Sequence, residues 1–492
     1  MTDTMKKSSL FLLTLTLFAT AAWSQNDRDA FRYSLLSPTG TARYTSMGGS
    51  MGAFGADFST ASTNPAALGT YNRSEFTFSP SLYFGNTEMD YNGINNKDYK
   101  TNFNFGNLGL VLTIPNDKGD WKAVQVSTGI NRMGNFHSYS YVAGPNNLNG
   151  TGHTSFMDYI AADANRRDIY VDNNNNYTDG SALGYVAWMG KALTYDTVIN
   201  AFAPTFGKTD MQQEKTTSTK GSMNEYVVSL SGNYQDKLFF GATLGIPYFS
   251  YKENYTYTES NDNRGTEAYN GAEYSSYLHS DGSGINFKIG MLYQPFSCLR
   301  LGFALHTPTY YSVEEDYVSS LCIYHDSVGA YSRKTSDGEF SYTINTPYRV
   351  LGDIAFIFGN YGFVNIDYEM ADYSTMRMRS DTYSFTQENN EITKSYRASH
   401  TIKVGGELNL SPVVFRAGYA YTSNPYTKEV GRDASRSVYS VGLGIRNMSN
   451  YVDFAYQYLT NSDNDVFYEK APYAYNVLTT NHSFVATLGW KF

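Results

Sequence analysis

Cysteine is almost missing: 492 residues contain two, Cys298 and Cys322, which excludes a disulfide-stapled secreted scaffold. Positive charge is in deficit, with 37 Lys and Arg against 46 Asp and Glu for a net charge of -9. That balance argues against an electrostatic nucleic-acid binder. Long apolar runs are scarce after the first two dozen residues, and the mean hydropathy is -0.42. The seven histidines (137, 153, 279, 306, 325, 400 and 482) are scattered, with no paired spacing for a metal.

Tyrosine (45), glycine (42) and phenylalanine (30) are abundant instead, a mixture of strand formers and turn formers. They are arranged at period two. From His482 to the end, Phe484, Ala486, Leu488, Trp490 and Phe492 fall on one face and Ser483, Thr487, Gly489 and Lys491 on the other, which is a β-strand. An apolar face that ends on the final aromatic resembles the C-terminal signal of bacterial outer-membrane barrels, so Trp490 and Phe492 are the expected recognition residues for the barrel assembly machinery. Low mean hydropathy is compatible with spanning a membrane, because only alternate residues of a barrel strand face lipid.

Similar alternation begins at Glu75 and recurs. Its first segments carry Phe76, Phe78, Leu82 and Phe84, then Leu108 to Ile114, then Val124 to Ile130; its last before the terminal strand carries Val452 to Tyr458. Fourteen such segments can be counted. Short connections at 116–119, 233–236, 295–298, 359–360, 411–412 and 447–450 alternate with long polar ones, the largest spanning about 135–212. An even strand number, with short turns on one side and long loops on the other, is the outer-membrane pattern. The expected fold is all-β: a fourteen-stranded antiparallel transmembrane β-barrel, multi-pass in the bacterial outer membrane, with both mature termini periplasmic. Cys298, in a turn, and Cys322, in the following loop, then lie on opposite sides and cannot pair. Within the largest loop, Ser155–Arg167 and Ala182–Leu193 read as short helices.

Lys6 and Lys7, the apolar run Leu10–Ala22 and the small residues up to Ser24 read as a signal peptide over 1–24. Residues 25–74 are Gly-, Ala- and Ser-rich without alternation, and 75–492 form the barrel. Among inward-facing charges, Lys288, Arg349, Lys403 and Arg416 are the candidate cations for an acidic ligand. The alternative is a lumen of mutually paired charges.

Residues 40–69 read GTARYTSMGGSMGAFGADFSTASTNPAALG. Small residues permit tight packing inside a lumen, Pro65 pre-sets a turn and Asn64 can hold it. This stretch, with Asn64-Pro65-Ala66 placed just before the first strand, resembles the N-terminal hatch (plug) of the FadL/TodX family of outer-membrane transporters for hydrophobic compounds. Asn345-Thr346-Pro347 at the eighth strand and the terminal Phe492 extend the resemblance over essentially the whole mature chain. It implies a non-enzymatic, cofactor-free, monomeric channel for passive uptake of small hydrophobic compounds such as long-chain fatty acids or aromatic hydrocarbons, in contact with outer-membrane lipids. Asn64, Pro65 and Ala66 would gate it. It also implies an inward kink of the third strand that opens the wall, for which Gly129, Asn131 and Gly134 are candidates.

Gly48-Gly49-Ser50-Met51-Gly52 matches a nucleophile elbow in spacing but lacks the strand and helix on either side. Asp172 to Leu183 fails as a calcium loop, because Tyr177 stands where glycine is required. Three rivals stay open. One is a barrel hydrolase, for which His306 is the nearest interior candidate. The others are a surface structural or adhesive barrel and an open porin.

Overall fold

Period-two alternation places one side chain of each pair in lipid and the next in the lumen, and the computed structural model closes this pattern into a barrel. It describes residues 27–492 except 117, 148–151, 168, 173–176, 178–180, 208–209, 262–266, 336 and 448; the expected signal peptide lies outside the described residues. The fourteen antiparallel strands are β1 Glu75–Tyr91, β2 Ile94–Pro115, β3 Trp121–Asn135 resuming as Ser138–Pro145, β4 Gln212–Tyr234, β5 Leu238–Ser260, β6 Tyr269–Phe296 and β7 Leu299–His306 resuming as Tyr310–His325. They continue with β8 Gly338–Asn345 resuming as Arg349–Ile357, β9 Gly362–Asp372 resuming as Arg377–Arg379, β10 Ala398–Leu410, β11 Val413–Thr422, β12 Arg436–Arg446, β13 Asn450–Val466 and β14 Ala474–Lys491. Pairing of β1 with β14, from Glu75↔Lys491 to Asp90↔Asn476, closes the ring. Closure pairs every strand on both sides near the short-turn end, as lipid requires. Among the described residues no helix is long and apolar enough to cross a membrane.

All six expected short turns connect neighbouring strands at one end. Outward residues of β6 run apolar from Tyr293 to Ile285, then turn polar at Ser283 and Asp281. Strand β6 nevertheless continues to Tyr269, for 28 residues in all, and β4 and β5 have 23 each. The ladders therefore continue well past the apolar band. This extension corrects two expectations. Cys322 lies within β7 rather than in a loop, and β3 resumes after Asn135, shortening the large connection. Both cysteines are unbonded, Cys298 exposed and Cys322 half-buried.

That connection folds into a cap. Helix α3 (Phe156–Arg166) begins on Ser155, whose hydroxyl and the Asp158 carboxylate form a capping box; helix α4 (Ala182–Met189) follows. Phe156, Met157, Ile160, Val186 and Phe202 pack with Tyr91, Tyr257, Tyr269 and Ile323 from strands around the rim and with Phe467 just past β13.

The N-terminal segment lies inside the lumen as a plug. Helix α1 (Asp27–Arg32) and helix α2 (Ala42–Ser46) are followed by two 3₁₀ turns, Phe58–Ser62 and Pro65–Thr70. Asp27 sits at the loop end, where Tyr396 Oη donates to it at 3.1 Å; Phe492 sits at the short-turn end, its N–H bonded to Ser74 O at 3.0 Å. The expectation placed both mature termini on one side. The described chain instead descends the length of the lumen before β1 begins.

Candidate functional site: the plug, its seat and a break in the wall

Asn64 caps the second 3₁₀ turn, accepting from Ala66 N–H through Oδ1 at 3.2 Å, and Pro65 takes the first position, where its missing N–H costs nothing. The Asn64 amide donates at 3.0 Å to Gly52 O and at 3.0 Å to Asp353 Oδ2 in the wall. Pro65 O accepts from Ser231 Oγ at 2.7 Å. The wall is shaped for this tripeptide. Gly241 and Gly290 are partners across β5 and β6; a Cβ on Gly241 would stand 2.3 Å from Pro65 C, and one on Gly290 2.1 Å from Asn64 Oδ1. Asn64, Pro65 and Ala66 thus form one unit, seated on bare backbone.

Other anchors surround it. Asp367, the register partner of Asp353, accepts from the N–H groups of Met51 at 3.0 Å and Gly52 at 3.1 Å. Arg43 of α2 grips Glu407 with two nitrogens, at 2.7 and 2.9 Å. Burial works against the Arg43 charge, but the facing Glu407 carboxylate outweighs it and raises the pKa. Burial also raises the pKa of the Asp57 carboxyl, against the opposing pull of the Thr41 hydroxyl and Arg43. Ser50 Oγ donates to Asn365 O at 3.0 Å, and His306 Nε2 to Thr63 O at 2.5 Å.

The four candidate cations all face inward and all meet carboxylates. Lys288 pairs with Glu225, and Arg349 and Lys403 share Glu369. Arg416 bridges Glu407 at 2.7 Å and Asp453 at 2.9 Å. Pairing is what buried charges require. Arg349 and Lys403 also line, with Tyr44, Thr63, Asn131 and Arg436, a cavity of about 70 Å³ between plug and wall.

The wall itself is interrupted. The β2–β3 ladder ends at Asn107↔Asn131, although β1 follows β2 as far as Tyr91↔Ile94. Beyond Asn131 the register of β3 against β4 shifts between Arg132 and Gly134, and its outer half, Ser138–Pro145, pairs with β4. Side chains of β2 bridge the break: Asp98 accepts from Tyr141 N–H at 2.9 Å, and Lys100 Nζ donates to Ser218 Oγ at 2.9 Å and Thr219 O at 2.8 Å. Asn102 and His137 meet at 3.1 Å. Asn131 sits at the end of the ladder, bonded to Asn107 at 2.8 Å and to Ser62 of the plug at 2.9 Å, and Gly134 at the register shift. Gly129 lies within the paired part, where a Cβ would meet Leu108 O at 2.1 Å and the ring of Phe58 at 2.7 Å. The plug also holds the bend: Ser37 N–H and Thr39 Oγ1 donate to Met133 O at 2.9 Å and Arg132 O at 2.8 Å.

Around α1, at the outer end of the plug, lies a packed aromatic cluster that the sequence did not reveal. Phe31 sits 5.2 Å from Tyr373 and 5.1 Å from Tyr396, and Tyr33 stacks on Phe249 at 3.9 Å. Met223, Tyr311, Tyr342 and Met376 complete the cluster. Its lining comes from β4 to β10 and their loops, so no local pattern signals it. Trp490 and Phe492 face outward at the closing seam, with Trp490 5.7 Å from Phe76.

A fourteen-stranded barrel with a plug seated in its lumen and a broken ladder in its wall defines an outer-membrane channel. The sequence family described as outer membrane protein transport protein (OMPP1/FadL/TodX) matches residues 171–492. This chain belongs to that family. A solved FadL homologue of Pseudomonas aeruginosa is similar over 93% of this chain and 100% of its own, with a TM-score of 0.58 at 15% identity. The P. putida toluene transporter TodX is similar over 92% and 99%, with a TM-score of 0.54 at 12% identity. No curated protein matches in sequence.

Proposed function

We propose that this protein carries small hydrophobic compounds passively inward across the outer membrane, with its short-turn end facing the periplasm. The family supports the class of cargo. The observation that carries the route is the conjunction of a filled lumen with a wall break at Asn107↔Asn131. Cargo enters beneath the cap and takes the places of Phe31 and Tyr33 in the aromatic cluster, which desolvates it. Withdrawal of α1 removes the donors of Ser37 and Thr39 from the bend of β3, and cargo leaves sideways through the break. The plug acts as a two-state gate biased by cargo that binds the open state better. Arg349, Lys403 and Arg436 line the cavity beside the plug against one carboxylate, Glu369, shared by the first two, and this cationic excess suits an acidic head group, so a long-chain acid is favoured there over a bare hydrocarbon.

Trp490 and Phe492 are read as the assembly signal, and one barrel is complete as a monomer. Asn102→Cys combined with His137→Cys would tie the break shut. Uptake of a labelled fatty acid into proteoliposomes should stop on oxidation and return with reductant. Full uptake by the oxidised, crosslinked protein would overturn lateral release.

A further inference from the structure

Beside the wall break, the outer surface changes polarity along one register row. Ile130 of β3 faces Tyr226 of β4, which faces Ile246 of β5, and these positions close the apolar band there. One row further out stand Arg132, Asn224, Tyr248 and Ser283, again register partners in turn. Asn131 and Met133 both line the inner cavity beside the plug, so Arg132 between them points outward. Hydrocarbon gives way to lipid head groups at this level.

Two features coincide there. The first is a group of cations without carboxylates. Arg132 Nε is buried with no acceptor among the described residues. Lys220 and Lys252, both exposed, are register partners on the outer face, where like charges repel. Lys100, arriving from β2, donates only to neutral oxygens, Ser218 Oγ at 2.9 Å, Thr219 O at 2.8 Å and Ser138 O at 3.3 Å. Burial, and then the charges of Lys100, Arg132 and Lys220, lower the pKa of His137 between the two halves of β3, beyond the apolar band. None of the four cations forms an ion pair among the described residues. The second feature is a groove of about 370 Å³ on the same outer face, lined by Asn224, Tyr248, Ser250, Asp281, Ser283 and Glu314 among others. It crosses β4 to β7, three strand spacings or roughly 14 Å. Its cations stand at the end next to the break, and its carboxylates, Asp281 and Glu314, at the far end.

We propose that this groove seats the phosphorylated saccharide head group of an outer-leaflet lipid, its phosphate towards Arg132, Lys220 and Lys252 and its sugar over the serines and carboxylates. Arginine and lysine hold phosphate by charge-assisted hydrogen bonds. Serine hydroxyls, the Asn224 amide and the two carboxylates supply the donors and acceptors that sugar hydroxyls need, and Tyr248 offers a ring to the apolar side of a sugar. A free phosphate or a fatty carboxylate would use the cationic end alone and leave Asp281 and Glu314 unmatched. A phosphoethanolamine head group is too short to fill the groove. The occupant would stand on the polar flank of the break. This rests on the orientation proposed above, with the loop end outward, and not on transport.

The test uses the full mature chain in detergent, with Arg132→Gln, Lys220→Gln and Lys252→Gln combined, and separately Ser283→Trp, which fills the groove without changing a charge. Native mass spectrometry titrates diphosphorylated lipid A, its monophosphorylated form, phosphatidylethanolamine and phosphatidylglycerol. Diphosphorylated lipid A should bind the wild type at least tenfold more tightly than either phospholipid, and the triple variant and Ser283→Trp should each weaken it at least tenfold. Loss of one phosphate from the lipid should weaken binding to the wild type more than to the triple variant. Lys122→Gln, an exposed cation at the short-turn end, should change nothing. Equal binding of either phospholipid overturns the saccharide assignment. Lipid A binding unchanged by the triple variant, with a wild-type melting curve, overturns the site. Binding is read without uptake, so its outcome is separate from that of the transport reading.

Discussion

Replacing Asn64 by alanine should loosen the gate by a calculable amount. The side chain makes three contacts, to Ala66 N–H, Gly52 O and Asp353 Oδ2. Loss of the cap to Ala66 costs about 1 kcal/mol. Loss of the donor to Asp353, a buried carboxylate, costs about 1.5–3 kcal/mol, and Asp353 Oδ1 already lacks a donor among the described residues. Of these contacts the Asp353 bond joins plug to wall, so its loss alone shifts the ratio of unseated to seated plug, by roughly 10- to 100-fold at about 1.4 kcal/mol per decade. Asn64→Asp keeps the shape but sets a third carboxylate beside Asp353 and Asp367, so it should act at least as strongly. Planar-bilayer recording of the purified protein reads this directly as the frequency of transient full openings. Opening frequencies within twofold of the wild type for both variants would show that the tripeptide does not latch the plug.

Gly290→Ala should mimic these variants through the wall alone, since its Cβ would collide with Asn64 Oδ1; a cost of about 1–3 kcal/mol should appear in the same recordings. Glu407→Gln should unseat α2 more than Arg43→Met does. The first strands the Arg43 guanidinium, at about 3–5 kcal/mol, although Arg416 keeps Asp453, while the second leaves Glu407 neutralised by Arg416. Thiol labelling of a buried Ser46→Cys reports the order, and equal labelling of both would contradict it. Lys100→Gln removes the strongest bridge across the wall break and should speed uptake of an uncharged aromatic several-fold in proteoliposomes; an unchanged rate would mean the break is not the limiting passage.

The barrel was legible because each strand states its own period. Leu299, Leu301, Phe303 and Leu305 announce an outward face without reference to any other strand, and so the strand count, the turns and the inward positions of Lys288 and Arg416 could be read directly. Helix α3 was legible for the same reason, since Ser155 and Asp158 are local signals. Pairing is not local. Glu225 lies 63 residues from its partner Lys288, and nothing near Asn131 indicates that β2 stops following β3 there. The tripeptide was visible as a motif, but its seat was not, because Gly241 and Gly290 acquire meaning only when they face each other across two strands. The aromatic cluster was invisible for a related reason: Phe31 lies in a short helix whose ring neighbours, Tyr373, Tyr396 and Tyr426, all come from loops distant in sequence.

The 28 residues of β6 reach roughly 95 Å along the strand at about 3.4 Å each. With a barrel tilt of about 40° that is a height of roughly 70 Å, against a hydrocarbon layer of about 30 Å. More than half of that height therefore stands clear of the lipid, but only on the side of β4 to β7: β10, β11 and β12 have 13, 10 and 11 residues and end near the hydrocarbon boundary. The barrel rim is thus steeply slanted, a tall polar wall of strands on one side facing short strands and loops on the other.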